Sequence, residues 1–219
     1  MFDGRGGILG DHHAFLAGVQ ANPGKTMVED GVFFIKGLEQ LTGEEFFHFC
    51  QQNRDLRIER TREGEIIIMS PTGAKTGWRN SEINFQLQAW NRKRKTGVVF
   101  DSSTGFDLPE GGERSPDASW VPRAEWEALS DAEQQRFAPL CPAFVIELKS
   151  PSDVIKTLRQ KMHIWIENGC QLAWLINPED ETVGIYRADG SQDTVQGFDH
   201  PVSGEDVLPG FVLDLSVLR

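Results

Sequence analysis

Two short segments place charged residues inside strand-like runs, where an unpaired buried charge is energetically expensive. The first contains Asp117 within Ser115–Ser119, and the second contains Glu147 and Lys149 within Ile146–Ser150. Side chains two positions apart in a strand point to the same face, so Glu147 and Lys149 are expected to lie side by side. A carboxylate buried in such a strand must be paired with a cation or bound to a metal ion.

These residue types suit metal-dependent hydrolysis of a phosphodiester. If the strand of Asp117 lies next to that of Glu147, their carboxylates offer the hard oxygen ligands that Mg²⁺ prefers alongside water and phosphate oxygens. The Lys149 ammonium can orient the attacking water and offset negative charge in the transition state. A two-carboxylate glycoside hydrolase would leave Lys149 without a role and is disfavoured. A non-catalytic binding or assembly module, whose acids only hold its core together, stays open.

Helices are predicted around this constellation. Thr42 and Glu45 form a capping-box pattern at the start of a helix that ends near Asn53. Apolar residues at helical spacing predict a long helix over residues 76–95 and another over residues 153–168.

Strands are predicted between these helices. The sequence indicates two strands at 56–61 and 65–70, a strand pair at 104–108 and 117–121, and a hairpin at 172–176 and 182–187. Residues 32–35 form either a short strand or a cover over a hydrophobic patch. Strands interspersed with helices, without a break in the pattern, predict one α/β domain.

Composition narrows the function classes. The 219 residues carry a net charge of −11, which argues against a protein that holds nucleic acid by bulk charge. From Glu179 onwards there are nine acidic and two basic residues, so most of the excess lies in the last segment. The one dense basic run, Asn91–Lys95, either interacts with its helix dipole as a solvated face or contacts a DNA backbone.

Cysteine usage and hydropathy predict a location. Cys50, Cys141 and Cys170 are scattered without a C-x-x-C pair, which favours a reducing compartment, and we expect a cytoplasmic protein. No apolar run reaches 18 residues, so no membrane association is predicted.

Pro116-Asp117 followed by Glu147-Leu148-Lys149 resembles the PD-(D/E)xK signature of restriction-endonuclease-like nucleases. Alone this pattern is weak, but the ordered flanking segments resemble the Uma-type endonuclease family, a group long described as a domain of unknown function. The similar segments are 69–73, 100–106, 114–120, 147–153, 174–178 and 203–211. The resemblance covers residues 41–218.

The resemblance implies a restriction-endonuclease-like fold, an α/β architecture with a central mixed β-sheet flanked by helices. It implies a nuclease domain over residues 41–219, preceded by an N-terminal extension over residues 1–40. Asp117 and Glu147 would be metal ligands and Lys149 the catalytic lysine of a Mg²⁺-dependent (or Mn²⁺-dependent) endodeoxyribonuclease. DNA is the expected substrate, and a homodimer is expected because related folds often cleave duplex DNA as dimers.

Further candidates lie on the two long helices. Relatives often contribute another acid from the helix before the first active-site strand, which makes Glu82 a candidate metal ligand; the alternative is a solvated helix acid. Lys161 either extends to solvent or points into the site, where it would contact phosphate. Gln160 is a weaker accessory candidate, and we assign Glu59 a structural or supporting role.

Overall fold

The computed structural model describes residues 28–29, 32–35 and 41–219. In this part of the chain the helices are α1 (Gly43–Gln52), α2 (Ala74–Arg94), α3 (Arg123–Ala128), α4 (Asp131–Gln134), α5 (Ile155–Glu167) and a 3₁₀ helix (Ser216–Leu218). The strands are β1 (Val28–Glu29), β2 (Val32–Ile35), β3 (Arg57–Arg60), β4 (Ile66–Met69), β5 (Gly97–Asp101), β6 (Phe106–Asp107), β7 (Glu113–Arg114), β8 (Ala118–Pro122), β9 (Phe144–Leu148), β10 (Leu172–Asn177), β11 (Thr182–Arg187), β12 (Gln192–Gln196), β13 (Val202–Ser203) and β14 (Val212–Leu213).

A six-stranded mixed sheet forms the centre of the fold, in the order β12-β11-β10-β9-β8-β5. The pair β9 and β10 is parallel, whereas the other neighbours are antiparallel. Parallel neighbours require a crossover connection, and α5 supplies it between β9 and β10. The predicted α/β class with a central mixed sheet is confirmed.

The two long helices cover opposite faces of this sheet. Ile83 of α2 belongs to the same apolar core as Ile146 of β9. Trp165 of α5 packs instead in the core that contains Val145. Alternation along β9 therefore sends even-numbered residues towards α2 and odd-numbered residues, among them Glu147, towards α5.

A second six-stranded sheet, entirely antiparallel, has the order β1-β2-β4-β3-β7-β6. Helix α1 packs on it through Phe46, and the predicted capping box of Thr42 and Glu45 is present. Strands β3 and β4 pair as antiparallel neighbours. Arg57 and Glu59, both on β3, contact the loop that precedes β8.

One predicted strand pairing is wrong. Strand β6 pairs with β7, whereas β8 joins β5 and β9 of the central sheet. The sequence could not show that β6 and β8 lie in different sheets. The separation arises because the chain reverses at Gly111 and Gly112, both at positive φ, before β7 begins. This tight loop lets Glu113 and Arg114 pair back on β6 and leaves the following segment free to enter the other sheet.

The described part of the first 40 residues forms strands. Of the two alternatives for residues 32–35, the short strand is confirmed as β2, and it pairs with β4. The rest of the predicted N-terminal extension lies outside the described residues, and the boundary at residue 41 stays a prediction. None of the described helices is long and apolar enough to cross a membrane.

Candidate active site

Asp117 lies directly before β8 and is held against the end of β9. Its backbone N–H donates to the Ile146 carbonyl at 3.0 Å, and its Oδ2 accepts the Leu148 backbone N–H at 2.8 Å. Its Oδ1 accepts from Arg57 at 3.1 Å and from the Asn80 amide at 3.3 Å. The structure therefore brings the Asp117 carboxylate beside the strand that carries Glu147, as predicted from the sequence.

Glu147 is almost completely buried, at 3% exposure, and points towards α5. Its Oε1 accepts from the Trp165 indole N–H at 2.9 Å and lies 2.9 Å from Lys161 Nζ. Burial, reinforced by the negative charges of Asp117 and Glu59, raises the pKa of Glu147 from 4.5 to about 7, although Lys161 opposes the rise. The chief cause of the raised pKa is therefore desolvation.

Lys161 forms the centre of a buried charge network. Its ammonium donates to Glu59 Oε1 at 2.8 Å and to the Ser115 carbonyl at 3.1 Å, in addition to its contact with Glu147. Glu59 also accepts from Arg114 at 3.1 Å. Although burial opposes ionisation, Lys161 and Arg114 lower the pKa of Glu59 to about 2. Of the two orientations open to Lys161, the structure shows the inward one.

Lys149 follows β9 at the edge of the site. Its Nζ donates to Glu179 Oε2 at 2.6 Å and to the Ser150 carbonyl at 3.1 Å. The ammonium in contact with Glu147 is therefore that of Lys161 and not, as expected from alternation alone, that of Lys149. Strand β9 ends at Leu148, and the long Lys149 side chain then extends to the turn after β10, where Glu179 lies.

Helix α2 contributes two amides to the site. Asn80 donates to the Asp117 side chain, and Asn84, one turn further, donates to the Asp117 backbone carbonyl at 3.0 Å. Glu82 lies two positions from Asn80, about 200° around the helix. Its predicted role as a metal ligand stays a prediction. Gln160 is exposed on α5, and its accessory role likewise stays a prediction.

The oxygens of this site fit a hard divalent cation. Within the described ranges, no three His, Cys, Asp or Glu side chains gather closely enough to hold an ion by themselves. Asn80 adds an oxygen, because its Oδ1 is buried and has no hydrogen-bond donor in the described part of the chain. Two carboxylates, an amide oxygen, water and substrate phosphate are a ligand set typical of Mg²⁺.

Sequence reasoning did not find Arg57, Asn80, Asn84 and Trp165. They lie on three elements, β3, α2 and α5, and none belongs to a short motif. The spacing of Asn80 and Asn84, four positions apart on a predicted helix, was the one usable signal that two amides share a face. Arg57 and Trp165 are brought to the carboxylates by sheet pairing and helix packing, which no local pattern in the sequence encodes.

Comparisons with known proteins agree with this architecture. Residues 43–216 match the family described as "Uma2: Putative restriction endonuclease". A crystal structure of a putative nuclease belonging to DUF820 from Anabaena variabilis ATCC 29413 has a similar fold, with a TM-score of 0.66 and 20% sequence identity. The similarity covers 81% of this chain and 97% of that chain. No curated protein matches the sequence significantly.

Proposed function

The chain belongs to the Uma2 putative restriction endonuclease family, and from this membership we propose that it is a metal-dependent endonuclease that hydrolyses phosphodiester bonds in DNA. One observation carries the proposal: the Leu148 N–H holds Asp117 against the strand of Glu147. This contact joins the two halves of the PD-ExK pattern, which are 30 residues apart in the sequence.

The proposed ligands of Mg²⁺ or Mn²⁺ are Asp117 and Glu147, with the orphan oxygen of Asn80 as a supplement. Three N–H groups donate to the Asp117 carboxylate, which has about four lone-pair sites and so retains capacity for a cation. A bound divalent cation would neutralise charge on the scissile phosphate and lower the pKa of a water molecule.

The chain's own residues have distinct proposed roles. Lys149 would donate a hydrogen bond to the phosphate or to the attacking water. Its partner Glu179 is 52% exposed, so substrate phosphate can replace that carboxylate at little cost. Arg57 fixes the Asp117 carboxylate through Oδ1 and donates to the Ser115 carbonyl at 2.6 Å. Lys161 favours the ionised form of Glu147, the form that binds a cation.

A plasmid-nicking assay tests the proposal. Wild-type protein is expected to nick supercoiled DNA with Mg²⁺ or Mn²⁺ and to lose this activity in EDTA. Lys149→Ala should abolish nicking while the protein stays folded, because the carboxylate that loses its partner, Glu179, is 52% exposed. Lys156→Ala, which removes an exposed lysine from α5, is the matched control and should retain activity. Nicking by a folded Asp117→Ala, Glu147→Ala double variant would refute the assignment.

A second candidate function is a non-catalytic binding or assembly module on the same fold. The network itself favours it, because Lys161 already neutralises Glu59 and Glu147 as a structural cation would. This reading predicts no nicking and no effect of Mn²⁺ on the melting temperature. A cation that binds only the native state, at 100 times its Kd, would stabilise the protein by about 2.7 kcal/mol. Light scattering would test the proposed homodimer in either case.

A further inference from the structure

A groove of about 820 Å³ runs along one side of α2 and reaches the candidate active site. Asn80 and Asn84 line it, and the same two amides hold Asp117. A molecule that lies in this groove is therefore separated from the Asp117 carboxylate by a single layer of side chains. Its position makes the groove a continuation of the site.

An exposed aromatic ring lies midway along the groove. Phe85 is 69% exposed, the largest exposure among the bulky apolar side chains of the described residues. It also borders a second depression, formed with Gly210 and Val212. A single-stranded nucleic acid can stack a base on such a ring, because every base has an aromatic face.

The far end of the groove is basic. Arg92 and Lys93 line it, and Asp101 is the carboxylate among its lining residues. In a chain with a net charge of −11, this is a local concentration of positive charge. The helix places Phe85 and Arg92 seven residues apart on the same side, about 10 Å along the axis. A strand that stacks on the ring can therefore place a phosphate near the cations.

We propose that the α2 groove binds an unpaired strand of nucleic acid, with one base stacked on Phe85 and the backbone on Arg92 and Lys93. The inference rests on the proposed function and adds that the substrate is single-stranded beside the cleavage site. A second copy of the chain fits less well. In a two-fold dimer the same patch lies on both subunits. The basic end of one subunit would therefore have to face either the basic end of its partner or the uncharged amides.

Fluorescence anisotropy in EDTA measures binding without cleavage. The probes are a labelled twelve-nucleotide oligo-dT and a labelled hairpin duplex, and the protein is the full chain carrying Lys149→Ala. Phe85→Ala should weaken oligo-dT binding roughly 5- to 150-fold, the range for loss of one stacked base. Phe85→Trp should restore it. Leu56→Ala, which truncates an exposed apolar residue outside the groove, should change it less than 3-fold.

The basic end has its own readout in the salt dependence of binding. For single strands, log Kobs falls with log salt by about 0.7 per phosphate contact, so Arg92→Gln with Lys93→Gln should reduce the slope by about 1.4. The control pair, Lys156→Gln with Arg159→Gln, removes two exposed charges from α5 on the opposite face of the sheet and should leave the slope unchanged.

Several results would overturn the inference: equal losses for Phe85→Ala and Leu56→Ala, tighter binding of the duplex, or an unchanged salt slope. If Phe85→Ala instead converts a dimer to a monomer by light scattering without altering oligo-dT binding, the face is an interface between copies. Failure of the nuclease proposal is distinguishable. If the protein binds oligo-dT through Phe85 but never nicks DNA with Mg²⁺, binding in the α2 groove is supported and the proposed endonuclease activity is refuted.

Discussion

Replacing Glu147 by glutamine should stabilise the protein at alkaline pH, even though it removes a predicted metal ligand. Both donors to the side chain, Trp165 and Lys161, contact Oε1. A glutamine can keep both contacts through its carbonyl oxygen. The substitution therefore changes mainly the charge of a nearly fully buried group, with little change in shape.

The magnitude follows from the raised pKa. Burial raises the pKa of Glu147 from 4.5 to about 7, so the folded state favours its protonated form. The associated stability is present below pH 4.5 and is lost as the pH rises through 7. Each pH unit between the two values corresponds to 1.36 kcal/mol, which gives a loss of about 3 kcal/mol above pH 8. The neutral Glu147→Gln side chain escapes this loss.

Urea unfolding in EDTA at pH 8.5 and pH 5 measures the effect. Glu147→Gln should exceed wild type by about 3 kcal/mol at pH 8.5 and by less than about 1 kcal/mol at pH 5. Saturating Mg²⁺ should narrow the difference at pH 8.5, because a bound cation stabilises only the ionised wild-type side chain. A variant that is less stable than wild type at pH 8.5, or a difference independent of pH, would refute the reasoning.

Three further predictions concern the same network and its supporting strand. Glu59→Gln should lower the free energy of unfolding by about 3 kcal/mol at pH 7, because the pKa of Glu59 is lowered to about 2 in the folded protein. The difference from wild type should shrink as the pH falls from 4.5 towards 2, and urea unfolding at several pH values measures it. Lys161→Met should cost about 3–5 kcal/mol at pH 8 by leaving two buried carboxylates without their shared ammonium, and adding Glu147→Gln should recover part of the loss in thermal melts. Gly97→Ala should destabilise the β5–β8 pair by several kcal/mol, since a Cβ would lie 2.2 Å from the Val121 carbonyl oxygen, and the loss should appear in the melting temperature.

Two of these predictions have a control variant. Gly169→Ala differs from Gly97→Ala because no atom lies within 4 Å of its Cβ, so its cost should reflect only positive φ. The control for Lys161→Met is Lys161→Arg, which keeps the positive charge. If Lys161→Met were as stable as wild type at pH 8, the ammonium would not be the group that compensates the two acids. An unchanged pH profile in Glu59→Gln would contradict its lowered pKa.

Local sequence patterns predicted individual helices and strands well. The capping box at Thr42, the long helix now seen as α2, and the hairpin of β10 and β11 depend on interactions within a few residues, so sequence alone could specify them. The motif at Pro116-Asp117 and Glu147-Leu148-Lys149, read with its flanking segments, was likewise enough to predict the family and the α/β fold, both of which are confirmed.

The side-chain partners were decided by the tertiary structure. Alternation correctly predicted which face of β9 carries Glu147, but it could not identify the ammonium beside it. That group comes from Lys161 because α5 crosses over the odd-numbered face, whereas Lys149 pairs with Glu179 in the turn after β10. Periodicity gives the direction of a side chain from its own backbone. Its partner depends on which distant element packs there, and only the folded chain determines that.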